Sequence, residues 1–269
     1  MTQGGGGTMF TQLRGCWALA VLAACGGSTI TGVTGGAPPD NTTDGDRDAG
    51  TGGNGITAGD AGAESASDAP SMLGPCDGEC TLSFASGADW RAYDDDPASN
   101  AGAIFLGSAQ PVCLNASAPP NCPANAFNYG LAGSAWGVSL SMIPGALWIW
   151  GPNITLYYLA DLKRFFFAHK FELGSAPQGR LSIAVDDAAA VRINGTELAA
   201  VGSVTDITTA LDAQSRLTTF DLTPLLRPGE NTITIAVQNG PASYAGCPSA
   251  CTYMQNPGGV VFGGTLSYR

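Results

Sequence analysis

From Trp90 to the end of the chain, apolar and polar residues alternate in short runs broken by Gly, Pro, Asn and Asp, the pattern of successive β-strands. Phe165, Phe167, His169, Phe171 and Leu173 alternate with Phe166, Ala168, Lys170 and Glu172, so the first set is expected on a buried face. Leu181, Ile183 and Val185 continue in the same way, Asp186-Asp187 is expected to turn the chain, and Val191 and Ile193 begin the return strand. Asn194-Gly195 supplies the next turn, since both residues tolerate positive φ. Phe220 and Leu222 lead into Pro228-Gly229, and Ile233, Ile235 and Val237 form a further strand with Thr232, Thr234 and Gln238 facing outward. Val260, Phe262, Leu266 and Tyr268 close the chain. No segment keeps a helical period, although Thr208 to Ser215 can hold one or two turns. Strands this closely spaced must bury one face against a second sheet, so the expected fold class is all-β: a jelly-roll β-sandwich, with a closed barrel as the alternative.

The first part of the chain follows a different logic. Arg14 precedes a short apolar run ending in Val21-Leu22-Ala23-Ala24-Cys25, after which Gly26, Gly27 and Ser28 follow. A run this short falls below the roughly 20 residues of a membrane-spanning helix and has the layout of a secretory signal. Leu22-Ala23-Ala24-Cys25 resembles the bacterial lipobox, which implies lipidation of Cys25 and anchoring to the envelope. Gly26 is not the Asp that retains lipoproteins at the inner membrane in some bacteria, so the outer membrane or cell surface is the expected location. Translation from Met9 in place of Met1 gives a tidier signal. From Gly26 to about Gly74 the chain is nearly all Gly, Ala, Thr, Ser, Asp and Pro, a composition that cannot bury a core and is expected to be a disordered tether. Its root-mean-square span is about 40 Å. The expected organisation is therefore signal peptide over 1–24, tether over 25–74, and one folded domain over 75–269.

The net charge of −11 is shared almost evenly by tether and domain. No basic face is available for phosphate backbones, which excludes nucleic acid as an expected partner. Of eight cysteines, Cys16 and Cys25 belong to the signal and lipobox. The other six fall in neighbouring pairs, Cys76 with Cys80, Cys113 with Cys122 and Cys247 with Cys251, and in an exported chain they read as disulfides, with proximity pairing the simplest connectivity. Zinc is the rival reading, disfavoured by the oxidising compartment and by His169 being the one histidine.

The strand Leu181-Ser182-Ile183-Ala184-Val185-Asp186-Asp187, then Val191-Arg192-Ile193-Asn194-Gly195, then Phe220-Asp221-Leu222-Thr223-Pro224-Leu225-Leu226-Arg227-Pro228-Gly229-Glu230-Asn231, resembles the galactose-binding-like jelly rolls, including the sugar-binding domains attached to β-glycosidases. The likeness runs from about Phe165 to Val237 and is weaker over 75–160. It implies the fold and, less directly, a carbohydrate ligand, because a fold does not fix a function.

Each candidate residue has a structural reading beside its chemical one. Asp94, Asp95 and Asp96 form a dense set of oxygen donors suited to a structural calcium, or a solvated acidic loop. Asp186 and Asp187 can be read as ligands or an acid–base pair, but more readily as a turn whose side chains accept backbone N–H groups. His169, set among phenylalanines, reads as a hydrogen-bonded core residue, and no G-x-S-x-G or other nucleophile motif accompanies it. Trp150, Tyr157, Tyr158, Tyr244 and Tyr253 are the candidate sugar-stacking residues, with Asn153, Gln238 and Asn239 as polar neighbours; aromatics are equally ordinary core residues. The function expected from these features is non-catalytic carbohydrate recognition at the cell envelope. A structural or protein-interaction role is the first rival and a polysaccharide-active enzyme the second.

Overall fold

In a computed structural model, residues 78–114, 122, 125–131, 136 and 143–269 are described. The signal peptide, Cys25, the tether and Cys76 lie outside the described residues.

Among the described residues the strands form two sheets. One has the order β10 (Thr196–Gly202), β9 (Ala188–Ile193), β12 (Gly229–Gln238), β7 (Arg164–Leu173), β2 (Arg91–Tyr93) and β3 (Phe105–Ser108). The other has the order β11 (Thr218–Asp221), β8 (Gln178–Asp186), β13 (Gly259–Tyr268), β6 (Ile149–Trp150), β4 (Gln110–Cys113) and β5 (Phe127–Asn128), and β1 (Cys80–Ala85) also pairs with β13. Strand pairs are antiparallel except β4 with β5. A helix of nine residues, α1 (Ile207–Ser215), packs against β8 and β10, with Asp206 capping its N-terminus by accepting from the Thr208 amide.

The period-two sets meet between the sheets. Phe167, Ile183, Val191 and Ile235 are all fully buried and belong to one core. Full burial of side chains of this size contributes about 1.5–3 kcal/mol each. The β9–β10 hairpin turns at Asn194 and Gly195, both with positive φ (53° and 79°). Asn231, at the end of the Pro228-Gly229-Glu230-Asn231 run, is buried: its amide group donates to the carbonyls of Arg227 and Gly229, and its Oδ1 accepts from the Arg227 amide. That side chain stands in for backbone partners the bend cannot supply.

Two expectations are corrected. Asp186-Asp187 does not fold a strand back onto its neighbour, because β8 belongs to one sheet and β9 to the other, where β9 pairs with β12 and β10. Period two reports which face of a strand is buried, not which strand lies beside it. Thr232 and Thr234 are buried, not outward in solvent. The loop after β2 lies over that face: the Thr234 hydroxyl donates to Asp96 Oδ1 at 3.0 Å, and Arg192 pairs with Asp96 Oδ2 at 3.4 Å. Phe166, on the same face, is buried beneath the guanidinium groups of Arg164 and Arg192.

Candidate ligand-binding site

Where the chain crosses between sheets, β8 delivers Asp186 and the crossing delivers Asp187, joined by a cis peptide bond. The crossing forms one wall of a cavity of about 220 Å³. Leu114 and Leu131 line it on one side, Ile207, Leu211 and Gln214 of α1 on another, and Tyr244, Gln255, Asn256 and Pro257 of the loop between β12 and β13 on a third. Ile207, Leu211 and Gln214 fall at helical i, i+4 and i+7, so one stripe of α1 faces the cavity.

The two carboxyl groups are neighbours close enough to act on each other's ionisation. Asp186 Oδ2 also accepts from the Trp136 indole at 2.8 Å, and Asp187 Oδ2 accepts from the Gly240 amide at 2.6 Å. Burial, then the neighbouring Asp187 charge, pushes the Asp186 carboxyl well above the usual carboxylate range; the Trp136 hydrogen bond opposes this only in part. Burial also raises Asp187, offset by its interaction with Asp186 and its bond to the Gly240 amide. The pair therefore retains a proton under conditions where free carboxylates have lost theirs.

Close approach of Gly240 is required by this geometry. A Cβ there would lie 2.4 Å from Asp187 Oδ2 and 2.6 Å from Tyr244 Cδ2. The Tyr244 phenol is pushed up by burial and by the Asp187 and Asp206 carboxylates. Two buried polar atoms at the cavity have no protein partner: Gln214 Oε1 and the Tyr244 hydroxyl. Unpaired buried polar groups cost free energy, and a polar ligand entering the cavity recovers it. The carboxyl oxygens with Gln214 Oε1 are also the oxygens that could hold a hard cation.

The loop between β12 and β13 is fixed by a polar framework. Asn239 donates to the carbonyls of Ala160 and Asn256, Asn256 donates to the Gly240 carbonyl and to Asp161, and Asp161 accepts from the Cys251 amide. The Cys247–Cys251 disulfide closes the same loop, and Cys113–Cys122 closes another; Cys80 is also disulfide-bonded.

Of the aromatics singled out in the sequence, Tyr244 lines the cavity. Trp150 and Tyr253 are core residues, 0% and 2% exposed, and are corrected from ligand contacts to packing. Trp150 meets Phe165 edge to face and rests on Gly258, where a Cβ would come within 2.5 Å of the indole. Tyr157 and Tyr158 are 80% and 59% exposed on the loop before β7 and do not line this cavity. Asn239 is fully buried in the framework above, and Gln238 lines a separate shallow trough with Ala188 and Ala200.

Asp94, Asp95 and Asp96 do not converge. Asp94 accepts from the Ile104 amide, Asp95 from the Asp96 amide and Asn100, and Asp96 turns inward to Arg192 and Thr234. No group of three His, Cys, Asp or Glu side chains placed to hold a metal occurs among the described residues. His169 packs against Trp90 and Phe171, and burial lowers its pKa.

Trp136, Gln214, Gly240 and Gln255 carry the site without having stood out in the sequence.

No family model and no curated protein matches this sequence. Among solved structures, the chain is similar to an α-L-rhamnosidase of Streptomyces avermitilis complexed with L-rhamnose, at 22% identity over 43% of this chain and 10% of that one, with a TM-score of 0.32. It is similar to a β-glucuronidase from an uncultured Clostridium at 14% identity, over 72% of this chain and 30% of that one, TM-score 0.34. A β-glucuronidase from Ruminococcus gnavus in complex with D-glucuronic acid matches at 13% identity, over 71% and 31%, TM-score 0.33. The chain spans less than a third of the length of each of these proteins.

Proposed function

We propose that this chain is an exported lipoprotein, anchored through Cys25, whose β-sandwich binds a hydroxyl-rich carbohydrate without catalysis in the cavity at Asp186 and Asp187. The observation that carries the reading is the lining of that cavity. Carboxyl and amide groups from Asp187, Gln255 and Asn256 line the cavity together with the apolar side chains of Ile207 and Leu211 and with Gln214 beside them on α1, and the Gln214 and Tyr244 oxygens are left unpaired. Acceptors and donors at this density suit adjacent hydroxyl groups, and the apolar side suits the C–H face of a sugar ring.

A non-catalytic role is supported by the spacing of the acids. Glycoside hydrolysis uses two carboxyl groups about 5 Å or more apart, flanking the bond to be cut. Asp186 and Asp187 are consecutive residues of the lining whose ionisations are linked, and each is engaged by the protein, Asp186 by Trp136 and Asp187 by the Gly240 amide.

Affinity electrophoresis of the full chain in gels containing plant, microbial and host polysaccharides tests the carbohydrate reading. Retardation in at least one gel, abolished by Asp187→Asn and weakened by Tyr244→Phe, is the expected result. Unretarded migration in all gels by a folded protein overturns it. Mass spectrometry of the chain made in a bacterial host, with Cys25→Ser as control, tests the anchor.

A further inference from the structure

The loop before β7 combines features that usually exclude one another: a tightly held backbone and exposed apolar side chains. Tyr157, Tyr158, Leu159 and Leu162 are 80%, 59%, 59% and 50% exposed, and Met254, on the facing loop, is 46% exposed. The backbone beneath them is bonded at nearly every position. Tyr158 and Leu156 carbonyls accept from the Tyr253 and Met254 amides, the Ala160 amide donates to Cys251, and the Leu162 amide donates to Gly240. Leu159 and Thr252 form a β-bridge. Leu162 holds a positive φ of 55°, a conformation that costs a leucine energy and is kept here by its surroundings. A rigid scaffold that displays large apolar groups to solvent loses little conformational freedom on docking.

Charge on this loop runs against the rest of the protein. The chain carries −11 overall and has only two lysines. One of them, Lys163, directly follows Leu162 and is itself followed by Arg164, making the one adjacent basic pair in the sequence. Both are exposed. The single acid of the loop, Asp161, turns away to the Cys251 amide and Asn256. Tyrosines, leucines and a methionine flanked by exposed cations make up the side-chain set that settles at the boundary between anionic headgroups and acyl chains.

We propose that this surface, Tyr157, Tyr158, Leu159, Leu162 and Met254 with Lys163 and Arg164, docks the domain onto an anionic lipid bilayer. The inference stands apart from the carbohydrate reading, whose cavity these residues do not line. A lipid anchor at Cys25 would raise the local concentration of bilayer around the domain and strengthen so small a contact.

Flotation of the full chain with vesicles tests it, using phosphatidylcholine alone and phosphatidylcholine with a quarter phosphatidylglycerol. The expected result is binding favoured by phosphatidylglycerol and weakened by salt. The variant Tyr157→Ser/Leu159→Ser/Leu162→Ser is expected to bind at least tenfold less, with an unchanged circular dichroism spectrum and melting temperature. Lys163→Gln/Arg164→Gln is expected to abolish the preference for phosphatidylglycerol while leaving the weaker binding to phosphatidylcholine. Comparison within one full-length chain cancels any contribution from the apolar segment before Cys25. Unchanged vesicle binding in the triple variant overturns the proposal. So does loss of polysaccharide binding, without loss of vesicle binding, in that variant.

Discussion

Trp136 donates its indole N–H to Asp186, and the same ring stacks on Trp148 with centroids 4.4 Å apart. A buried carboxyl is thereby fixed by a residue far away in sequence, at the point where the chain passes from one sheet to the other. The consequence for pH is direct. A carboxyl whose pKa is raised on folding holds its proton in the native state after the unfolded chain has released it, so stability falls as pH rises above the ordinary carboxylate range near 4. The expected outcome is a melting temperature that declines from pH 5 to pH 8 in the native sequence and declines less in Asp186→Asn. Differential scanning calorimetry at four or five pH values checks it. Asp95, Asp206 and Asp221 have lowered pKa values and act the other way, with stability lost as pH falls below their unfolded values, so the window above pH 5 leaves them out. His169, whose pKa burial lowers, opposes the pair within that window, because its contribution grows as pH rises through its unfolded value, so the difference between the native sequence and Asp186→Asn is the reading that isolates the pair.

Replacing Gly240 tests the same site by shape. Gly240→Ala places a methyl group against the Asp187 carboxyl and the Tyr244 ring, and the expected cost is about 1–3 kcal/mol of stability as the loop shifts. Carbohydrate retardation should weaken at least tenfold, read in the same gels as the native chain.

The interior offers a harder test of the sandwich itself. Ile235 is fully buried on the central strand β12, in register with Phe167 and Val191 on either side. Ile235→Ala is expected to cost about 2–5 kcal/mol in urea unfolding, while Thr265→Ala, on an exposed position of β13, should change stability by less than about 0.5 kcal/mol.

Asn231 carries the bend before β12. Asn231→Ala removes three side-chain hydrogen bonds to Arg227 and Gly229 and one from Asn194, and leaves part-buried backbone groups without those partners. A loss of about 1–3 kcal/mol is expected, with Asn231→Asp retaining part of it.

Much of the fold was legible because side chains on a strand alternate between its two faces, and Leu181, Ile183, Val185, Val191, Ile193, Ile233 and Ile235 all fall on the face that meets the core; that the other face of β12 is buried too is not in the period. Asn194-Gly195 was legible because few residue pairs accept two positive φ angles in succession. The crossing at Asp186 was not, since alternation carries no information about sheet membership. Thr234 was misplaced for a related reason: a polar residue on an outer face is exposed only if no loop covers it, and Asp96 arrives from a segment nearly 140 residues away. The site was legible at Asp186 and Asp187, as the less favoured of two readings, and at Tyr244. Trp150 and Tyr253 have the same chemistry, and tertiary packing alone decides which aromatic ring faces solvent. Gln214 was silent because its one distinguishing property, an oxygen without a partner, exists only once α1 has docked.

The passage of the chain from one layer to the other at Asp186 has a mechanical implication. Anything seated against both carboxyl groups grips β8 and β9 at once, and so clasps the two leaves of the sandwich together at their seam. An occupied domain should resist the shearing of one leaf past the other better than an empty one.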